Sequence, residues 1–76
     1  MPVAMRPVFS SYIAAIGYDP EKKEFYVSYI DGGTSRYRNI PQAVADDISG
    51  SASIGKAVHR DLIANHYPHS YSKDGL

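Results

Sequence analysis

A chain of 76 residues without cysteine admits one domain held by packing alone, with no disulfide framework and no thiolate metal site. Lys plus Arg and Asp plus Glu are 8 each, and this zero balance argues against a strongly electrostatic nucleic-acid binder while leaving room for a local basic patch. No apolar run approaches the ~18 residues of a membrane span, and the opening MPVAMRPVF lacks the apolar region of a secretory leader, so a cytoplasmic protein is expected. At this length folding buries only about 60% of the surface the unfolded chain exposes. A deep catalytic pocket has little room, and surface binding or assembly with another copy is the more natural use.

Residues 1–9 read as an extended arm. Pro2 and Pro7 each disfavour helix in the residue before them. A single domain is expected over 10–69, with 70–76 as a polar tail. Its first strand is SSYIAAIGY, with Tyr12, Ala14, Ile16 and Tyr18 on one face and Ile13 and Ala15 on the other. Gly17 inside that strand suggests a bulge or a close backbone approach. Asp19-Pro20-Glu21-Lys22-Lys23 is a polar turn.

The second strand, EFYVSYI, alternates. Phe25, Val27 and Tyr29 form its better core face, and Tyr26, Ser28 and Ile30 point the other way. Asp31-Gly32-Gly33 supplies the positive φ of a short hairpin loop. The third strand, TSRYRNI, places Ser35, Tyr37 and Asn39 on one face and Arg36, Arg38 and Ile40 on the other. Three sequential strands with short turns predict an antiparallel meander.

Pro41 favours a helix start, Val44 and Ile48 share a face, and Gly50 stops a helix of about two turns. Ser51 or Ser53 caps a second helix with the stripe Ile54, Ala57, Val58 and Leu62; Ile63 falls off that stripe, and Pro68 ends it. The expectation is an α+β domain of order βββαα: a three-stranded antiparallel meander packed against two C-terminal helices.

The quoted pieces, in this order and spacing, resemble the KTSC domain, a short module found at the C-terminus of some lysyl-tRNA synthetases and as a stand-alone bacterial or phage protein. The matching residues are Ser11, Ile13 and Ile16-Gly17-Tyr18-Asp19, then alternating Phe25, Val27 and Tyr29, and Gly33 in the hairpin. Tyr37, Asn39-Ile40-Pro41 and Ser53-x-Gly55 follow. The resemblance spans about four fifths of the chain by these landmarks. It implies an RNA-binding role, suggested by attachment to a synthetase. The family carries Tyr-x-Tyr in the third strand, and here Ser35 and Tyr37 occupy those positions.

Two readings of the aromatic hairpin compete. Tyrosines flanked by arginines on a sheet can stack bases of single-stranded nucleic acid, since every base has a π-face. The same rings can simply fill the core while the arginines are solvated. The candidate binding residues are Tyr26, Arg36 and Arg38 on the hairpin, joined by Lys56, His59 and Arg60 within one helical turn. The alternative is a protein–protein adaptor, or a phage-encoded accessory protein, using the aromatic face or a sheet edge; the neutral charge favours it. A homo-oligomer is compatible with either.

No catalytic constellation emerges, so a non-enzyme without cofactor or metal is expected. His59 and His66 are two turns apart and no HxxxH spacing exists. Adjacent Asp46 and Asp47 diverge around a helix. Asp31-Gly32-Gly33-Thr34 is a hairpin turn rather than a phosphate loop. The run Ser49-Gly50-Ser51-Ala52-Ser53 before Gly55 reads as a helix junction, with anion binding by its backbone N–H groups as the competing use.

Overall fold

The computed structural model describes residues 5–73; the outer parts of the expected arm and tail, residues 1–4 and 74–76, lie outside them. Among the described residues the chain forms β1 (Arg6–Pro7), β2 (Ile13–Asp19), β3 (Glu24–Tyr29), β4 (Thr34–Tyr37), α1 (Gln42–Ser49), α2 (Ile54–Val58), a π-helical segment (His59–Ile63) and β5 (His69–Ser72). The strands make one antiparallel sheet in the order β1-β2-β3-β4-β5. The expected α+β class with two helices holds, but the sheet has five strands, not three. The extra two are edges. Arg6–Pro7 of the arm pairs with Ala15 and Ile16. His69–Ser72, at the junction of the expected domain and its polar tail, pairs with β4 in register Tyr37 to His69 and Thr34 to Ser72.

The core face follows from cross-strand pairing. Ile16, Val27 and Ser35 lie in one row and Phe25 and Tyr37 in the next, all buried. Ile13 joins them because the β2–β3 register slips between Ile13 and Ala15. One extra residue puts Ile13 and Ile16, three apart, on the same side. The predicted alternation across this strand therefore fails at Ala14–Ala15, and the bulge is there rather than at Gly17. Ile40 also departs from expectation. Alternation puts it on the face of the arginines, yet it is fully buried. Asn39 adopts φ of +61° and turns the chain after β4 ends, so Ile40 drops under the sheet. Tyr18 holds that corner by donating its hydroxyl to the Ile40 carbonyl at 2.5 Å.

The helices cover this face with Ala45, Ile48, Ile54, Ala57, Val58 and Leu62. Pro41 sits just before α1, and Gly50 closes it with its N–H on the Asp46 carbonyl at 2.9 Å. Ser53 occupies the position before α2 without a side-chain cap. After α2 the winding widens: the Ala64 N–H reaches the His59 carbonyl, five residues back, at 2.9 Å. Asn65 bonds the Arg60 and Asp61 carbonyls at 3.3 and 3.0 Å. Leu62 still points into the core, while Ile63 is left outward.

The β3–β4 hairpin turns at Gly32 and Gly33, with φ of +105° and +86°. The two glycines differ in surroundings. A Cβ at Gly32 would meet open space, whereas at Gly33 it would run into the ring and hydroxyl of Tyr71 on β5. Gly32→Ala is therefore expected to cost only the backbone strain of about 1–2 kcal/mol. Gly33→Ala should cost more, about 2–3 kcal/mol in all, because Tyr71 must also move. Urea titration measures both costs, and faster amide exchange at residues 69–72 only in Gly33→Ala identifies the second term.

Candidate functional site

The six residues selected from the sequence do not form one surface. Tyr26 and Arg36 face each other across β3 and β4, on the side of the sheet away from the helices. The Tyr26 hydroxyl donates to Glu24 Oε1 at 2.8 Å, and Arg36 Nε lies 3.9 Å from Glu24 Oε2. Burial, then the bond to Glu24, raises the Tyr26 hydroxyl above its ordinary pKa. Arg36 Nε is buried without a hydrogen-bond partner among the described residues. Arg38 is exposed just beyond β4. Lys56, His59 and Arg60 are exposed on the helical layer, on the opposite side of the molecule. Arg60 is occupied there: it reaches Asp47 Oδ2 at 2.6 Å and Asp61 Oδ1 at 2.8 Å. The Arg60 guanidinium holds the Asp61 carboxyl below the usual carboxylate range. The two halves of the expected basic patch are thus separated by the thickness of the domain, and one arginine in each is tied to carboxylate.

A different set of side chains does converge, on the helix side of the sheet. Tyr12 leads into β2, where Ser10 Oγ accepts the backbone N–H groups of Tyr12 and Ile13, each at 3.3 Å. The Tyr12 hydroxyl donates to the Gly55 carbonyl at 2.7 Å. Its ring occupies the space a Cβ on Gly55 would need, 2.8 Å from Tyr12 Cε1. From there the rings run along the sheet. Tyr12 stacks on Tyr29 with centroids 6.3 Å apart, and Tyr29 meets Tyr71 at 6.1 Å. The Tyr29 hydroxyl shares a 2.9 Å hydrogen bond with Ser35 Oγ. Tyr37 stacks against His69 with centroids 5.2 Å apart.

These rings border three shallow depressions of about 380, 470 and 440 Å³. Tyr12 lines the first and second, and Ile63 the second and third, so the three read as one trough. Lys56 and His59 lie on its second section, beside Ser10, Ser11 and Ser53. Of the residues chosen from the sequence, only these two touch the trough. Tyr12, Ile63 and Tyr71 were not chosen. Ile63 carried one signal, its departure from the apolar stripe. Tyr71 carried none, because it lay in a stretch without strand pattern.

The trough generates two expectations. Gly55→Ala should displace Tyr12, lowering stability by about 1–3 kcal/mol; loss of the Tyr12–Tyr29 stacking signature in near-ultraviolet dichroism would report it, and an unchanged spectrum would show that the ring is not held by the missing Cβ. The second expectation concerns pH. Burial, reinforced by the neighbouring Tyr29, pushes the Tyr37 hydroxyl well above its ordinary value of 10, and burial likewise raises Tyr12. A raised folded-state pKa stabilises the fold fully below the unfolded value, and that contribution is lost as pH climbs above 10 toward the folded-state value. Stability should thus fall from pH 10 upward, with a shallower slope in Tyr37→Phe, as measured by urea unfolding at stepped pH.

Comparison with known proteins places these landmarks in a family. The KTSC domain matches residues 9–67. A protein of Tsukamurella paurometabola is 38% identical over 55 residues, which is 72% of this chain and 82% of that protein. An uncharacterized protein of Stutzerimonas stutzeri is 29% identical over 58 residues, covering 76% of this chain and 82% of its own length. The crystal structure of a KTSC domain protein from Yersinia pestis superposes with a TM-score of 0.82 over 93% of this chain and 99% of that one, at 24% identity. With its hairpin, its Tyr12-accommodating glycine and its Asn39-Ile40-Pro41 corner inside the matched region, the chain belongs to the KTSC domain family.

Proposed function

We propose that this domain is a non-catalytic binding module that takes up apolar side chains of a protein partner along the tyrosine trough. One observation carries the reading. Tyr12, Ile30, Ile63 and Tyr71 keep 40%, 60%, 44% and 56% of their surface exposed, and all four border the same trough or stack on its rings. Exposed apolar side chains gathered at one place, rather than scattered, are the usual mark of an interaction surface. Rigid tyrosines suit it, offering contact area with little side-chain entropy to lose.

Charge supports a protein over a nucleic acid. A phosphate backbone is held by cations in register with it. Here Arg36 and Arg60 face carboxylates, and the remaining cations named above lie on opposite sides of the sheet. The polar rim of the trough includes Lys56 and His59, which fits polar contacts around an apolar centre.

Selection of a random dodecapeptide display library on the full chain tests the proposal. Peptides rich in aromatic or aliphatic residues should be enriched, and their affinity should fall at least ~10-fold on Ile63→Asp. That variant should keep its melting temperature, since Ile63 is outside the core. Failure to enrich any sequence would overturn the reading. So would tight binding of a dodecamer of uridylate that weakens steeply with salt, which would move the trough to nucleic acid.

A further inference from the structure

We infer that β5 is an edge for strand addition, and that its occupant is an extended segment of a partner protein whose side chains alternate apolar and acidic. This rests on the trough being a protein-binding surface and names how the partner lies on it.

The backbone supplies the first argument. The Arg38 N–H donates to the Pro68 carbonyl at 2.8 Å, so that pair is a hydrogen-bonded one. In an antiparallel ladder such pairs alternate with pairs whose groups turn away from each other. With β4 and β5 in register Tyr37 to His69 and Ser35 to Tyr71, the N–H and C=O groups of His69 and Tyr71 point outward from the sheet. No strand pairs with them among the described residues.

The two edges are unlike. β1 is two residues long, and its Pro7 has no N–H to offer. β5 has the sequence His-Ser-Tyr-Ser, without proline, carboxylate or bulge. Nothing on it discourages pairing.

The side chains then choose the occupant. An added strand would turn alternate residues to the helix side, beside His69 and Tyr71. There the depression lined by Tyr37, Leu62, Ile63, His66, Tyr67 and His69 accepts an apolar group. The intervening residues would face the open side beside Ser70 and Ser72, where Arg36 is already turned to Glu24 and the cations left to a partner are those at the ends of the strand. Arg38 and Lys73 flank the two ends of β5, and no Asp or Glu occurs between His66 and Lys73. An acidic strand complements these cations. A second copy of this chain would bring no carboxylate to these cations, because its β5 carries the same residues.

The test uses the full chain, labelled with nitrogen-15, and the capped heptapeptide Glu-Val-Asp-Val-Glu-Val-Asp. Saturable amide shifts are expected over residues 68–73, with exchange of the His69 and Tyr71 amides slowed at least ~10-fold. A peptide with lysines in place of the acids should bind at least ~10-fold more weakly. A peptide N-methylated at alternate positions, which cannot complete the ladder, should not bind. Neither control alters the protein, so misfolding cannot explain the result. Shifts at Tyr12, Lys56 and Ile63 that survive N-methylation would overturn strand addition while leaving the trough as a binding surface. Absence of any shift from the heptapeptide, while library peptides still bind the trough, would also overturn it. Concentration-dependent protection of His69 and Tyr71 without peptide, with dimers in sedimentation, would assign the edge to a second copy and reject the inference.

Discussion

The sheet is wider than the helices that cover it, and the rest of the structure answers that mismatch. Five strands span about 20 Å at the usual strand spacing. Against them α1 has 8 residues, about 12 Å, and α2 with the π-helical segment that continues it runs from Ile54 to Ile63, about 15 Å. The helices cover the middle of the sheet, over Ile13, Ile16, Phe25 and Val27, each at most 2% exposed. At β5 the cover is incomplete, and His69 and Tyr71 are exposed. Tyrosines take over the cover there because a ring can bury its body and leave its hydroxyl wet. Tyr37 is buried, Tyr29 is half-buried, and Tyr71 lies at the rim.

Two glycines make this solution fit. Gly55 lets the Tyr12 ring lie against the start of α2, and Gly33 lets the Tyr71 ring lie against the hairpin. Each removes a Cβ where an aromatic ring must approach the backbone. Tyr12 is then fixed at both ends, by the Gly55 carbonyl and by stacking on Tyr29. The widened helical turn after Val58 acts on the other wall. Leu62 stays inside there and Ile63 turns out, the second in keeping with its place off the apolar stripe.

What was legible in the sequence is what local pattern determines. The alternation of Phe25 and Val27, the Asp31-Gly32-Gly33 turn, and the boundaries at Pro41 and Gly50 each reflect a residue's own backbone preference or a short period. The edges were not legible. Arg6–Pro7 and His69–Ser72 have no strand pattern of their own; they are strands because β2 and β4 offer unpaired backbone groups to whatever chain passes. The bulge at Ala14–Ala15 was hidden for a related reason. Its position is set by register with β3, which a single strand does not record, and Gly17 looked the better candidate. The expected Tyr–Arg site shows the same limit. Alternation correctly put Tyr26 and Arg36 on one face, but only the fold shows that Lys56 and Arg60 lie on the other side and that Glu24 stands between the hairpin residues.

Ser35 ties the trough to the edge. Its side chain is buried in β4 and shares a hydrogen bond with the Tyr29 hydroxyl. Tyr71 sits directly across from Ser35 on β5, and its ring leans over Tyr29 and Gly33. Edge strands are held by one ladder rather than two, and they are the part of a sheet that opens at least cost. The aromatic trough is therefore not independent of β5. Any change that frays the edge withdraws Tyr71 from Tyr29, and any strand that pairs with the edge fixes Tyr71 in place. The proposed strand addition and the proposed docking would both act on Tyr71, so the proposal carries a coupling between them.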